Sequence, residues 1–207
     1  GSKWQAGDVK YKDLTGEGEV TPGASTLENH GDLKRIGNNS PRYRVGLNLD
    51  AAWKGIDFSI FFQGVLKRDW MFDAGDPYFW GAGSGMWQAA CFEEHMDYWT
   101  PENTDAYYPK PYFNETKNQQ AQDAYMQKAS YLRCKNIQLG YTLPTHITEK
   151  AGISNCRIYL SCDNLFTITG LSSVYDPEVF GSYDGYGTSG KTYPLQRTIS
   201  VGVNLNF

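Results

Sequence analysis

No stretch of about 18 uncharged apolar residues occurs in the 207-residue chain, and a helix that crosses a bilayer needs about that many. A helical membrane span is therefore excluded. A β-barrel span is not, because a barrel strand carries apolar side chains only on its lipid face. Basic residues are also scarce: 19 Lys and Arg stand against 23 Asp and Glu, a net charge of −4. That balance argues against nucleic acid as a partner, since its recognition needs a basic face. Cys91, Cys134, Cys156 and Cys162 lack metal-ligand spacing and read as free apolar residues. His30, His95 and His146 lie far apart with no ligand-spaced neighbour, which assigns them exposed or capping roles. No Gly-x-Ser-x-Gly nucleophile elbow is present. Glu93, Glu94 and Asp97 cluster as a glycosidase pair would, yet a solvated helix face explains them. The chain reads as a non-enzyme without a resident cofactor. Its amino end has no basic stretch before an apolar core, so a signal peptide is expected to have been removed or to lie upstream.

What is abundant points elsewhere. There are 15 Tyr, 10 Phe, 6 Trp and 22 Gly, with only 20% charged residues, a composition that suits strands and decorated loops. A two-residue period runs through residues 42–53, with Tyr43, Val45, Leu47, Leu49, Ala51 and Trp53 opposite Arg42, Arg44, Gly46, Asn48 and Asp50. The pattern repeats over 56–66 after the short turn Lys54-Gly55, then over 131–143, 156–167 and 195–207. Two of these runs carry defects. Arg133 and Lys135 fall on the apolar parity of the third, so they must sit high or follow a bulge, and Asn164 breaks the phase of the fourth.

Runs of this length suit tilted barrel spans of about 9–11 residues rather than sandwich strands of about 5–6. Short and long connections alternate, as periplasmic turns and extracellular loops do. The expected organisation is an extracellular loop segment over 1–41 followed by barrel strands over 42–207, with extracellular loops at 67–130 and 168–194. Five strands cannot close a barrel, which takes an even number of at least eight. The fold class read here is all-β, the five carboxy-terminal strands of a larger transmembrane antiparallel β-barrel.

Three candidate sites emerge. Asp13, Thr15, Glu17 and Glu19 are spaced like the opening of a calcium loop with Gly18 at its sixth place. The twelfth place is Ala24, so the bidentate Glu is missing, and an acidic surface turn is the competing reading. The 67–130 loop is dense in rings, and Trp70, Tyr78, Trp80, Trp87, Tyr98 and Trp99 are its candidates for stacking on cargo or docking a lid protein. Packing of the loop on itself explains the same rings. A short helix is expected over Met86–Tyr98. The last eight residues, with Gly202, Leu205 and Phe207, look like the assembly signal of outer-membrane proteins.

Several motifs together resemble one family. Gly7-Asp-Val-Lys-Tyr-Lys-Asp13, Ile36-Gly-Asn-Asn-Ser-Pro41, Tyr98-Trp-Thr-Pro-Glu-Asn103, Asp163-Asn-Leu-Phe166 and Tyr193-Pro-Leu-Gln-Arg197 are similar to the closing portion of SusC/RagA-type TonB-dependent outer-membrane transporters of Bacteroidetes. So are the strands Lys54–Gly64 and Tyr131–Tyr141. The resemblance implies a barrel of about 22 strands with a plugged lumen. It also implies insertion in outer-membrane lipid, a SusD-like lipoprotein lid, import of oligosaccharides or peptides, and energy from TonB acting through a part that precedes this sequence. Two other readings compete: a soluble carbohydrate-binding β-sandwich, which should show strands of about six residues, and an outer-membrane enzyme, which should show a nucleophile with its base.

Overall fold

The structure is a computed structural model that describes residues 3–84, 90–180 and 192–207. Its contacts divide the described residues into two units, one of 3–38, 70–84 and 90–126, the other of 39–69, 127–180 and 192–207.

The second unit is an antiparallel sheet. Its strands are β1 (Arg44–Trp53), β2 (Ile56–Val65), β3 (Asp69–Trp70), β4 (Gln127–Thr142), β5 (Asn155–Asp163), β6 (Thr167–Gly170) and β7 (Thr198–Asn206). The continuous order is β1-β2-β4-β5-β7, every pair antiparallel. Lys54 and Gly55 both adopt positive φ and close the tight turn between β1 and β2, the backbone that a two-residue hairpin loop of this hand requires. Among the described residues no helix is long and apolar enough to cross a membrane.

Register aligns like with like across the whole sheet. Leu49 pairs with Ile60, Ile60 with Ile137 and Ile137 with Cys162. One step along, Phe58, Leu139, Leu160 and Val201 form another row. These rows make one apolar face, and it is open: Leu47, Leu139 and Val203 are 53%, 51% and 55% exposed. Burying such side chains is worth about 1.5–3 kcal/mol each, so an uncovered face of this extent demands an apolar surrounding. The opposite face is polar and bonded to itself. Arg157 grips the Asp57 carboxylate with Nε and a terminal nitrogen and donates to Gln138 Oε1 at 3.1 Å, while Asn136 donates to Asp163 at 2.7 Å.

Both phase defects in the sequence become bulges at one level of the sheet. Phe61 pairs with Asn136 and Phe62 with Cys134, so Lys135 is an extra residue in β4. On the other side of β4, Asn136 pairs with Asp163 and Arg133 with Thr167. Two residues of β4 there face three, and Asn164 takes φ 51°. A bulge changes strand parity beyond it. Arg133 therefore leaves the apolar face and joins the polar one opposite Gln63. The run read from sequence as 156–167 is correspondingly divided into β5 and β6, both paired to β4.

Above this level Val65, Ala129, Tyr131, Leu171 and Phe180 are buried. The Arg133 guanidinium, 5% exposed, bonds Asp176 at 2.7 Å, Glu178 at 2.9 Å and Thr167 Oγ1 at 2.8 Å, and Lys135 Nζ reaches Glu178 at 3.1 Å. Asp176 also accepts the N–H groups of Glu178 and Leu195. Burial would raise its carboxyl, but these donors and Arg133 bring it below the ordinary range. The segment around Phe180 is thereby fastened over the upper strands, with Arg68 stacked 4.8 Å from the Phe180 ring centroid.

Gly202 shows why small residues punctuate the polar face. It pairs with Tyr159, whose ring lies where a Cβ on Gly202 would be and stacks 4.9 Å from Arg157. Gly202→Ala should therefore destabilise the protein by about 1–3 kcal/mol, the usual effect of overpacking. Tyr159→Ser in the same chain should recover most of that loss in a urea unfolding titration; no recovery would mean the ring is not the obstacle.

Candidate functional site

Among its described residues the first unit has isolated bridges but no strand ladder of its own, and rings hold it together. Phe72 and Phe79 stack at 4.7 Å between centroids, Trp80 meets Phe79 edge-on at 4.8 Å, and Tyr125 closes on Trp80 at 5.0 Å. Pairs of this geometry add about 0.5–1.5 kcal/mol each beyond area burial. Burial pushes the phenols of Tyr108 and Tyr125 up.

His95 locks the short 3-10 turn Glu93–Met96 into this core. Its Nδ1 accepts from the Phe92 N–H at 3.0 Å, and Nε2 lies 3.1 Å from the Phe79 carbonyl. Nε2 therefore carries the ring proton. The histidine caps, as the sequence suggested, but it is buried rather than exposed. A helix over Met86–Tyr98 is not what the described part of that range adopts: residues 85–89 lie outside the described residues, and Glu93–Met96 makes a single 3-10 turn.

Against this core opens a pocket of about 330 Å³. Trp80, Tyr98, Tyr108, Pro109, Pro111 and Tyr112 are among the residues of its wall, with Lys110 and Glu115 beside them. The two amides at its edge are already committed. Gln119 accepts from the Gly75 N–H and donates to the Gly83 carbonyl; Asn118 accepts from the Val9 N–H and donates to Asp8. The pocket thus offers ring faces and proline edges, a surface for stacking on a flat apolar group.

Of the six ring residues singled out from the sequence, Trp80 and Tyr98 meet at this pocket. Trp80 is 6% exposed and belongs as much to the core as to the wall. Trp70 and Tyr78 are half-buried, Tyr78 beside Phe92 at 5.7 Å, and Trp99 packs its ring against Gly7, all away from the pocket. Trp87 lies outside the described residues. Tyr108 and Tyr112 belong to the ring-dense loop noted in the sequence but were not singled out, and Pro109 and Pro111 were passed over. Their signal was the run Tyr107-Tyr-Pro-Lys-Pro-Tyr112, in which prolines favour an extended chain.

The acidic turn at the amino end is bonded inward. Asp13 accepts the N–H groups of Gly16 and Gly18 and the Thr15 hydroxyl. Asp32 accepts the N–H groups of Leu14, Thr15 and Thr21. Glu17 and Glu19 are exposed. Among the described residues no group of three His, Cys, Asp or Glu converges as a metal site.

These carboxylates give the unit an acid limit. Backbone N–H groups from Thr21, Thr15 and Leu14 hold Asp32 down at about 2. Burial opposes ionisation of Asp8, but Lys117 at 2.8 Å and Asn118 at 3.1 Å bring it to about 2 as well. With folded values below the ordinary 3.8, their stabilisation is whole above about pH 4 and is lost as pH falls through about 2. Tryptophan fluorescence should accordingly be steady down to about pH 4 and change below it. Asp32→Asn should move the onset upward; an unmoved onset would remove Asp32 from the account.

Of the assembly-signal residues, Gly202 sits under Tyr159 on the polar face, Leu205 pairs with Cys156 on the apolar one, and Phe207 follows β7, exposed.

No protein-family model matches the chain. TonB-dependent receptor P3 of Formosa agariphila is 29% identical over 208 residues, covering 97% of this chain and 19% of the receptor. TonB-dependent receptor P26 of the same organism is 26% identical over 97% of this chain and 20% of its own length. Among solved structures, the RagAB peptide transporter matches with 29% identity and a TM-score of 0.56, over 78% of this chain and 17% of that one. The RagAB peptide importer in its open-open state matches with 25% identity and a TM-score of 0.55, over 82% and 17%. The chain spans about a fifth of the length of the curated relatives it matches. The resemblance to SusC/RagA-type TonB-dependent transporters extends over nearly the whole chain, and these relatives are receptors and transporters rather than enzymes.

Proposed function

We propose that this chain is a wall section and mouth of a SusC/RagA-like TonB-dependent importer, the five carboxy-terminal strands of an outer-membrane barrel of about 22 strands. The observation that carries this reading is the two-faced sheet, apolar and uncovered on one side and polar and self-bonded on the other. Lipid covers the first face and the plugged lumen meets the second. A carbohydrate-binding sandwich would instead bury the apolar face beneath a second sheet.

The chain leaves β2 at Val65, at the end of the strand away from the Lys54-Gly55 turn, and we read that end as the extracellular one. The pocket lined by Trp80, Tyr98, Tyr108 and Tyr112 offers stacking to an oligosaccharide or a peptide side chain. A SusD-like lipoprotein closes over the mouth, and TonB supplies energy through parts outside this sequence. The relatives support a transporter; the cargo and the lid are our reading.

The test is made on the full-length protein in cells. It should fractionate with the outer membrane, co-purify with a lipoprotein, and take up fluorescent oligosaccharide or peptide only while the proton-motive force is intact. Recovery with the soluble fraction, or uptake indifferent to the proton-motive force, would overturn the proposal.

A further inference from the structure

The aromatic pocket lies wholly within the first unit, and polar groups of its lining residues are bonded to the protein itself. Trp80 Nε1 donates to the Asp73 carbonyl at 3.0 Å. Both ring nitrogens of His95 are engaged, one by the Phe92 N–H and one by the Phe79 carbonyl. The Tyr112 hydroxyl accepts from Gln5 Nε2 at 2.7 Å. Asn118 and Gln119 each use both their carbonyl oxygen and their amide nitrogen within the unit. A ligand seeking hydrogen bonds from these groups would compete with bonds already made.

The acidic and basic side chains that line the pocket are one of each sign, Glu115 and Lys110. Together they favour neither an anion nor a cation. The Lys110 ammonium also stands 5.9 Å from the Tyr112 ring centroid and 6.0 Å from that of Trp99, where the ring faces attract it. Met96 and Tyr98, by contrast, are exposed, so that a thioether and a ring stand open among the lining residues. The pocket is thus neutral in balance and apolar where it can be reached.

We infer that this pocket receives an apolar side chain of a peptide, an aromatic one above all, and that the cargo is therefore peptide rather than oligosaccharide. An incoming ring can pair edge-to-face or offset with the tyrosines, and a thioether packs well against a ring edge. A sugar could lay one face on Tyr98, but its hydroxyls would leave water for a wall whose amides, imidazole and indole already have partners. A buried hydroxyl without a partner is costly, and a sugar brings several. The volume of about 330 Å³ is at the small end for ligand pockets, which suits one side chain better than a chain of sugar rings. The inference rests on the transporter reading for the origin of the ligand and narrows it to one class of cargo, but it is tested by binding alone.

Three uncharged probes titrated calorimetrically into the full-length protein in detergent separate the possibilities: N-acetyl alanyl-phenylalanyl-alanine amide, its counterpart with serine in the middle, and maltotriose. The phenylalanine peptide should bind at least tenfold more tightly than either of the others, a ratio that burial of one such side chain supports. Tyr98→Ala should weaken that peptide about tenfold and leave the serine peptide unchanged, whereas Tyr98→Phe should bind it as the parent does, because the ring and not the hydroxyl makes the contact. Tyr98 is exposed and its bridge to Tyr108 is made by backbone, so the replacement leaves the fold intact; an unchanged unfolding midpoint verifies this. Met96→Ser, also at an exposed position, is the second variant and should weaken the phenylalanine peptide about threefold. Equal binding of the two peptides, tighter binding of the trisaccharide, no binding of any probe, or variants at both positions that bind as the parent does would overturn the inference. Failed uptake by cells with binding of the phenylalanine peptide intact would count against transport and not against this pocket.

Discussion

Replacing Leu139 by Arg should lower the stability of the full-length protein in lipid vesicles by about 2–4 kcal/mol, the loss that a cation imposes at the middle of a barrel's lipid face. Leu139 sits between Phe58 and Leu160 in the centre of the apolar rows and is exposed over half its surface. In a soluble protein the same exposed site would accept Arg with a change of about 0.5 kcal/mol or less. Ser200→Arg supplies the comparison, since Ser200 lies on the polar face opposite Ser161. Urea titrations of the two variants should differ by several-fold in their effect. If they lose equal stability, the apolar face does not meet lipid and the barrel reading fails.

Arg133→Met should destabilise the protein by about 3–5 kcal/mol, because it leaves a buried carboxylate without its cation. Asp176 and Arg133 are each 5% exposed and 2.7 Å apart, so little water is available to replace the lost partner. Lys135 still serves Glu178, but no other cation is seen on Asp176 among the described residues. Adding Asp176→Asn to Arg133→Met should return much of the loss, since an amide tolerates the site without a counter-charge. Thermal unfolding of the single and double variants reads the coupling directly. A single variant within about 1 kcal/mol of the parent would show that the network is wetter than its burial indicates.

The alternation that marks Leu47, Phe58, Leu139 and Val203 was fully legible in the sequence, because side-chain direction in a strand depends on nothing beyond the two-residue period. Arg133 and Asn164 were legible only as conflicts. Each broke the parity of its run, and a bulge resolves both, but where the extra residue falls depends on pairing with a neighbour strand, which no local pattern encodes. The ring residues divide for a related reason. Trp80 and Tyr98 were recognisable as candidates by type, yet their roles as wall were set by contacts across the 70–126 segment. Asp13 had the spacing of a ligand, but its oxygens turned to the N–H groups of Gly16 and Gly18, donors that become available once the glycines adopt positive φ.

A ladder of repeated apolar and polar rows is prone to slide, since any two-residue shift would again set like beside like. The extra residues at Lys135 and around Asn164 remove that freedom. They work as a keyed joint: β4 seats against β2 and against β5–β6 at one height only, because moving it would take the Lys135 carbonyl away from the N–H of the left-handed Asn164. Strands laid side by side in such a sheet thereby acquire an alignment mark that their monotonous side-chain pattern could not supply.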